Sequence, residues 1–436
     1  MSFTIFRRAK ASALAVASAG LMLPCVSHAA GPVAVGTPIT IDSATNSFTP
    51  NQLGAVAYGS DGSFLATWAK DPSNQGVTKI YVGRFAANGA ALGAEIEVSD
   101  PTVASDNPAV AVDAQNNFVV VWREGRSAQS GGIMSPMMRL YSANGTPRGA
   151  AACVDTSCTS NANTVTLSVA MADGGDFAVL WSNPFTRLRR FAADGTAKSK
   201  TPVLPFGYIF SGSSSISMNR TSGDFAVAAA SFAAIGTQTF ATGANNILVQ
   251  RYSAAGAKVG TKITAAHCSY YVYTPSGFES GCELTNSAVV LDDAGSFSIV
   301  YSYISTDSSI RVQRFSSAGI ATGQALALET VAGSLLDSEA LDLKSAASNG
   351  KGSIAVIWGN VAWGDVAQGT IQGRRYNADG TMDAAAFQVT QQGNGGPGYT
   401  VPSAMDPNGN FIVLWGETAG NYPNQTETIL GQRYSP

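Results

Sequence analysis

The hydrophobic pattern of this chain is a repeated one. A short apolar run leads into an Asp/Gly/Asn cluster, and a second apolar run follows that usually ends in Trp. Ala111-Val112-Asp113 followed by Phe118-Val119-Val120-Val121-Trp122 has a close counterpart in Ala404-Met405-Asp406 followed by Phe411-Ile412-Val413-Leu414-Trp415. The second run recurs as Phe64 to Trp68, Phe177 to Trp181, Phe225 to Ala229, Phe297 to Tyr301 and Ile354 to Trp358, which makes seven units. Repeats of this size are single supersecondary units that bury their apolar faces on their neighbours.

Within each unit the runs are short, and Gly, Ser and Thr are abundant, which suits strands and tight turns. A third strand ends in a basic-aromatic pair: Arg84-Phe85, Arg190-Phe191, Arg251-Tyr252, Arg314-Phe315, Arg375-Tyr376 and Arg433-Tyr434. The second unit departs from this, with Leu140-Tyr141 and Arg139 one place early. Turns such as Ala143-Asn144-Gly145 or Ala378-Asp379-Gly380 follow, and a fourth strand such as Glu95-Ile96-Glu97-Val98 ends the unit. Asn-Gly and Asp-Gly between apolar runs are hairpin signals, because these residues tolerate the positive φ of tight turns.

The pattern predicts an all-β fold, a seven-bladed β-propeller with four antiparallel strands per blade. The seventh unit stops at Arg433-Tyr434-Ser435-Pro436 without a fourth strand, while Val35 to Ile41 reads as a fourth strand without a first three. The N-terminal strand is therefore expected to complete the last blade and close the ring, which hides sheet edges. The repeat is similar to those of large bacterial secreted and surface proteins, Asp-x-x-Gly-x-Phe-x-Val-x-Trp followed by Gln-Arg-Phe/Tyr-x-x-x-Gly, over nearly the whole chain after residue 29. That resemblance implies a propeller and no particular activity. Sialidase-type propellers carry a Ser-x-Asp-x-Gly-x-x-x-Trp box. Here Asp61 and Gly62 are adjacent and lie in a first hairpin turn, so Ser60-Asp61-Gly62 reads as turn chemistry.

Residues 1–29 combine Arg7, Arg8 and Lys10 with an apolar run from Ala11 to Leu23 and Ser27-His28-Ala29, the pattern of a secretory signal peptide. Residues 30–436 then form the propeller, secreted or periplasmic, with no later apolar run long enough to span a bilayer. Of 26 basic and 29 acidic side chains, 23 basic ones remain after cleavage, for a net charge of −6. With no Lys/Arg cluster, nucleic acid is not an expected partner. The expected partner is a glycan, a cell-surface component or a protein, bound by a monomer. Cys153, Cys158, Cys268 and Cys282 remain, and an exported chain with this spacing favours the pairs 153–158 and 268–282 over crossed pairing or zinc.

Two faces are expected. First-to-second and third-to-fourth turns share one face and are short. Second-to-third and blade-to-blade connections share the other, with long segments at Ala69 to Lys79, Arg123 to Pro136, Phe232 to Asn246, Ala265 to Asn286, Gly359 to Gly369 and Gly416 to Thr428. Binding residues concentrate on variable loops held by a rigid scaffold, so the site is expected on this second face. Its richest segment runs from His267 to Cys282. A disulfide there would preorganise Tyr270, Tyr271, Tyr273 and Phe278, which with His267 form the candidate binding set. The opposing reading is a link that packs on itself.

The Trp residues that end the second strands have two readings, a stacking ring around the channel or packing between blades, and the area an aromatic buries favours packing. The repeated Arg reads as a bond between blades or strand ends rather than an anion ring. No catalytic set is recognisable, which favours a non-enzymatic binding or interaction module, with a structural surface protein and a carbohydrate-active enzyme as the alternatives. Asp71, Asp106, Glu124, Asp155, Asp337, Glu339, Asp365 and Glu417 map to the long-loop face, where a pair about 5 to 9 Å apart would suit a carbohydrate-active hydrolase or lyase. Each is otherwise a solvated loop charge. No cofactor is expected. The acidic turns Asp173-Gly174-Gly175-Asp176 and Asp292-Asp293-Ala294-Gly295 leave calcium as a weak alternative, since neither has the ligand spacing of a calcium loop.

Overall fold

A computed structural model describes residues 31–45, 52–73, 76–125, 134–158, 166–183, 185–208, 211–231, 246–268, 273–274, 277–278, 282–332, 339–362, 370–390, 400–419 and 426–436. The expected signal peptide lies outside them. The described chain is all-β and forms seven blades. Blade 1 is Gln52–Tyr58, Phe64–Lys70, Lys79–Phe85 and Ile96–Glu97, and the pattern of consecutive antiparallel strands repeats around the ring. The first strand of each blade is innermost. Gln52–Tyr58 packs on Ser105–Val112, and contact passes through Leu167–Met171, Ser211–Met218, Glu283–Leu291, Glu339–Ser348 and Ser403–Met405 back to Gln52–Tyr58.

Blade 7 is closed as expected. Val33–Thr45 pairs antiparallel with Thr426–Ser435, from Val33 opposite Ser435 to Thr45 opposite Thr426. The strand also meets blade 1, where Lys70 Nζ lies 3.1 Å from Asp42 Oδ1. In blade 3 the fourth strand is reduced: three strands pair as a sheet, and the isolated bridges Phe191–Ala197 and Leu188–Val203 stand in the fourth position.

Two aromatic layers hold the ring. Trp68, Trp122, Trp181, Trp358 and Trp415 are all buried, each inside a cluster that joins two adjacent blades. Packing, not a stacking ring, is therefore their role. Blade 4 has Ala229 at this position, and Phe206 from the segment that precedes the blade joins Ala229 in its cluster. The second layer lies toward the short turns. The first aromatic of strand two stacks on the last aromatic of strand three in six blades, as in Phe64 on Phe85 and Phe411 on Tyr434, with centroids 4.7 to 5.0 Å apart. Antiparallel register dictates this, because the two residues are directly opposite.

The repeated Arg beside that stack ties blades together. Arg84 donates to the Ala143 carbonyl, Arg190 to Ala254 and Ala255, Arg251 to Ser317 and Ala318, Arg314 to Ala378, and Arg433 to Ala87. In each case the acceptor is the third-to-fourth turn of the following blade. The exceptions follow from the same geometry. Leu140 stands in place of the blade 2 Arg and lies against Gly195 of the next turn, where an added Cβ would sit 3.1 Å from its Cδ1. Blade 7 takes its fourth strand from Val33–Thr45 and so offers the blade 6 Arg no third-to-fourth turn. Arg375 turns instead to Asp383 of its own blade, at 3.3 Å.

Candidate functional site

The two faces are distinct in the structure. First-to-second and third-to-fourth turns do share a face: Ala254 N–H donates to Asp224 Oδ1, and Lys198 Nζ pairs with Asp176. Each turn is closed by local bonds, as where Asp61 Oδ1 accepts the Ser63 N–H across Gly62, whose φ is +80°. Hydrogen bonds from Ser63 also hold the Asp61 carboxyl below its usual range. Ser60-Asp61-Gly62 is thus turn chemistry.

The two disulfides and His267 lie on the opposite, link face. The two disulfides are those expected, Cys153–Cys158 and Cys268–Cys282, each with Cα atoms 5.8 Å apart. His267 ends the outermost strand of blade 4, Lys258–His267, and its Nδ1 lies 2.8 Å from Asn246 Oδ1 on the neighbouring strand. Cys268 is buried in the cluster between blades 4 and 5, with Leu284, Ile247 and Tyr301. The disulfide therefore anchors the link where it leaves the rim of blade 4 and enters the core. Beyond it, Tyr273–Thr274 and Gly277–Phe278 form a small hairpin in which Tyr273 and Phe278 are register partners. Tyr270 and Tyr271 lie outside the described residues.

The carboxylates on this face are taken up locally. Asp71 is buried and accepts the Ser73 and Gly76 N–H groups. Asp106 and Arg123 are opposite in register and form a bidentate pair at 2.6 and 2.7 Å. Glu124 and Glu417 accept the indole N–H of Trp122 and Trp415 at 2.9 and 3.0 Å. Asp155 accepts the Thr156 N–H. Asp337 and Asp365 lie outside the described residues, as does the side chain of Glu339. Glu124 and Glu417 are strand residues rather than loop charges, because the second strands of blades 2 and 7 run on past the Trp to Gly125 and Ala419. The long segments thus begin farther out than the sequence suggested.

The structure adds two features that the sequence reading did not contain. The first is a serine ladder. Ser213, Ser215 and Ser217 of the blade 4 inner strand accept the N–H groups of Ser287, Val289 and Leu291 of blade 5, at 3.2, 2.9 and 3.0 Å. An innermost strand has one unpaired edge, and buried N–H groups there need acceptors. The signal was the run Ser211-Gly212-Ser213-Ser214-Ser215-Ile216-Ser217, which broke the apolar pattern of first strands.

The second is an axial cavity of about 380 Å³ on the short-turn face, to which each blade contributes from its first turn: Ser60, Ala114, Asp173, Arg220, Asp293, Asn349 and Pro407. These turns are bonded in sequence. Ser60 donates to the Ala114 carbonyl, Ala114 N–H to Asp173, Asp173 N–H to Arg220, Asn219 Nδ2 to Asp293, and Asp293 N–H to Gly350. Below them, Ile216, Met218, Val289, Leu291, Ala346 and Met405 line the walls.

Neither a family model nor a curated protein matches the sequence. Solved structures share the overall arrangement at low similarity. A protein of unknown function from Dyadobacter fermentans aligns over 92% of this chain and 100% of its own, at 10% identity and a TM-score of 0.45. An ulvan lyase of polysaccharide lyase family PL25 aligns over 90% and 95%, at 9% identity and 0.48. The NanB sialidase of Streptococcus pneumoniae aligns over 92% and 70%, at 10% identity and 0.44. Likenesses this distant carry no argument about activity.

Proposed function

We propose that this protein is an exported binding module, secreted or periplasmic, that takes a glycan on its link face without turning it over. The observation that supports this most is the Cys268–Cys282 disulfide, which closes 14 residues of sequence separation around a hairpin that pairs Tyr273 with Phe278. Tyrosine presents a flat apolar surface with a polar tip, and a backbone closed by a disulfide has less entropy left to lose on binding. His267, Tyr270, Tyr271, Tyr273 and Phe278 are the residues assigned to the contact.

The test is a binding screen of residues 30–436 against bacterial and plant glycans, with product analysis of the same samples. Saturable binding without new products is expected, and Tyr271→Ala or Tyr273→Ala should each weaken it about tenfold, the scale of one anchoring aromatic. New reducing or unsaturated ends would overturn the non-enzymatic reading and direct attention to the carboxylates. Binding unchanged in both variants would move the ligand elsewhere.

A further inference from the structure

The axial cavity lies on the face opposite the proposed glycan contact, and its chemistry differs. At about 380 Å³ it has room for a small organic molecule. The walls from blades 4, 5 and 7 include Ile216, Met218, Val289, Leu291 and Met405, apolar side chains with two flexible thioethers, set among the polar Ser217, Thr221, Ser348 and Asn349. The charged groups that line it are Asp173, Arg220 and Asp293.

Arg220 shows what the axial end of the ring can hold. Its guanidinium leaves blade 4 and reaches three others: Nε donates to Asp173 Oδ1 of blade 3 at 2.8 Å, and its two terminal nitrogens donate to the carbonyls of Tyr58 and Val112 at 3.4 Å. Tyr58 and Val112 end the inner strands of blades 1 and 2, so acceptors from separate blades converge on one cation. Leu291, Ser348 and Met405 end the inner strands of blades 5, 6 and 7 in the same register, each opposite the first residue of strand two. Among the described residues lining the cavity, Arg220 is the one basic side chain.

Asp293 is the acid left over. The neighbouring Asp292 closes the turn, accepting the Ser296 N–H at 2.8 Å. Asp293 joins the ring of turns through its backbone alone, donating its N–H to Gly350 and accepting Asn219 Nδ2 at its carbonyl. Among the described residues its exposed carboxylate has no hydrogen-bond or ion-pair partner. Asp173 offsets Arg220, so the lining keeps one negative charge beside the apolar side chains of Met218 and Met405.

We propose that this cavity binds a small organic cation, an alkylammonium or alkylguanidinium on an apolar stem, with Asp293 as its counter-charge. The stem lies against Met218 and Met405, and the charged head takes the place opposite Arg220.

The test uses residues 30–436 titrated at low salt with n-pentylamine and n-pentylguanidine, and with 1-pentanol and pentanoate as matched neutral and anionic probes. The cations are expected to saturate one site and to shift the methyl resonances of Met218 and Met405, assigned by Met→Leu substitution. Asp293→Asn should weaken them about fivefold, the size of a partly exposed ion pair. Glu329→Gln, on the outermost strand of blade 5, should leave them unchanged and controls for net charge. The backbone bonds of residue 293 survive the substitution, so an unchanged melting temperature confirms an intact fold. Equal binding of pentanol and pentylamine, equal affinity in Asp293→Asn and the parent, an equal loss in Glu329→Gln, or unmoved Met218 and Met405 signals would each overturn the assignment.

Discussion

The turn face and the link face of this ring are secured by different means. On the turn side, five blades repeat one device: an Arg beside a stacked aromatic pair reaches the backbone carbonyls of the next blade. On the link side, packing under the surface is again repeated, as the buried Trp layer, but the connections above it are braced individually. Two of them carry disulfides, and Asp71 ties another to its own backbone. A repeating sequence can encode a repeating joint, whereas each connection of different length needs its own fastening. That division leaves the link side free to vary in sequence while the turn side keeps the ring in register.

The sharpest way to break this contrast is to remove one member of the Trp layer. Trp122 is fully buried and its indole N–H is bonded to Glu124. Trp122→Ala should cost about 3 to 5 kcal/mol, read as a large drop in the denaturant midpoint. A loss below 1 kcal/mol would mean that the layer is not what joins the blades. Next in size is Cys268→Ser with Cys282→Ser, expected to cost about 3 kcal/mol on the chain-entropy account and to speed proteolysis within the link while leaving the turn side protected. Uniform protease sensitivity would erase the distinction between the faces.

Smaller still is Arg251→Ala. The freed carbonyls of Ser317 and Ala318 are near water, so a loss of about 1 kcal/mol is expected in thermal or chemical unfolding. The smallest effect is a pH dependence at Arg375 and Asp383. Asp383 is fully buried, and burial raises its carboxyl above the usual range although Arg375 opposes this. The folded chain then holds that proton more tightly than the unfolded chain. Its contribution to stability therefore falls as pH rises from the ordinary carboxylate value through the raised one, and Asp383→Asn should flatten the stability curve in that window. An unchanged curve would show that Asp383 is not the group responsible.

The frame of the molecule was legible because it is local. Phe118 to Trp122 and its six counterparts announce a strand, the Asn-Gly and Asp-Gly pairs announce turns, and an orphan strand at Val35 to Ile41 matches an incomplete unit at Tyr434. What escaped notice is relational. Ser213, Ser215 and Ser217 look like a weak strand until the unpaired edge of blade 5 is beside them. The single-letter pattern also gives no warning that the fourth strand of blade 3 shrinks to isolated bridges, or that Phe206 fills out the cluster around Ala229. Arg220 is an ordinary turn residue in sequence, and only ring closure brings Tyr58 and Val112 to it. Loop length directed attention to the link face, whereas the axial cavity is built from the shortest turns in the chain.

The pairing of Val33–Thr45 with Thr426–Ser435 also bears on how the ring comes to exist. During synthesis the first of these strands is made before the six intervening blades and its partner after them. Blade 7 cannot form until then, and blade 1 lacks one neighbour for as long. The early strand must stay unpaired through the making of six blades, with its edge open to the wrong partner. Assembly is thus a circle drawn from one point and finished at the same point. A chain cut ahead of Thr426 would keep nearly all its blades and still have no clasp.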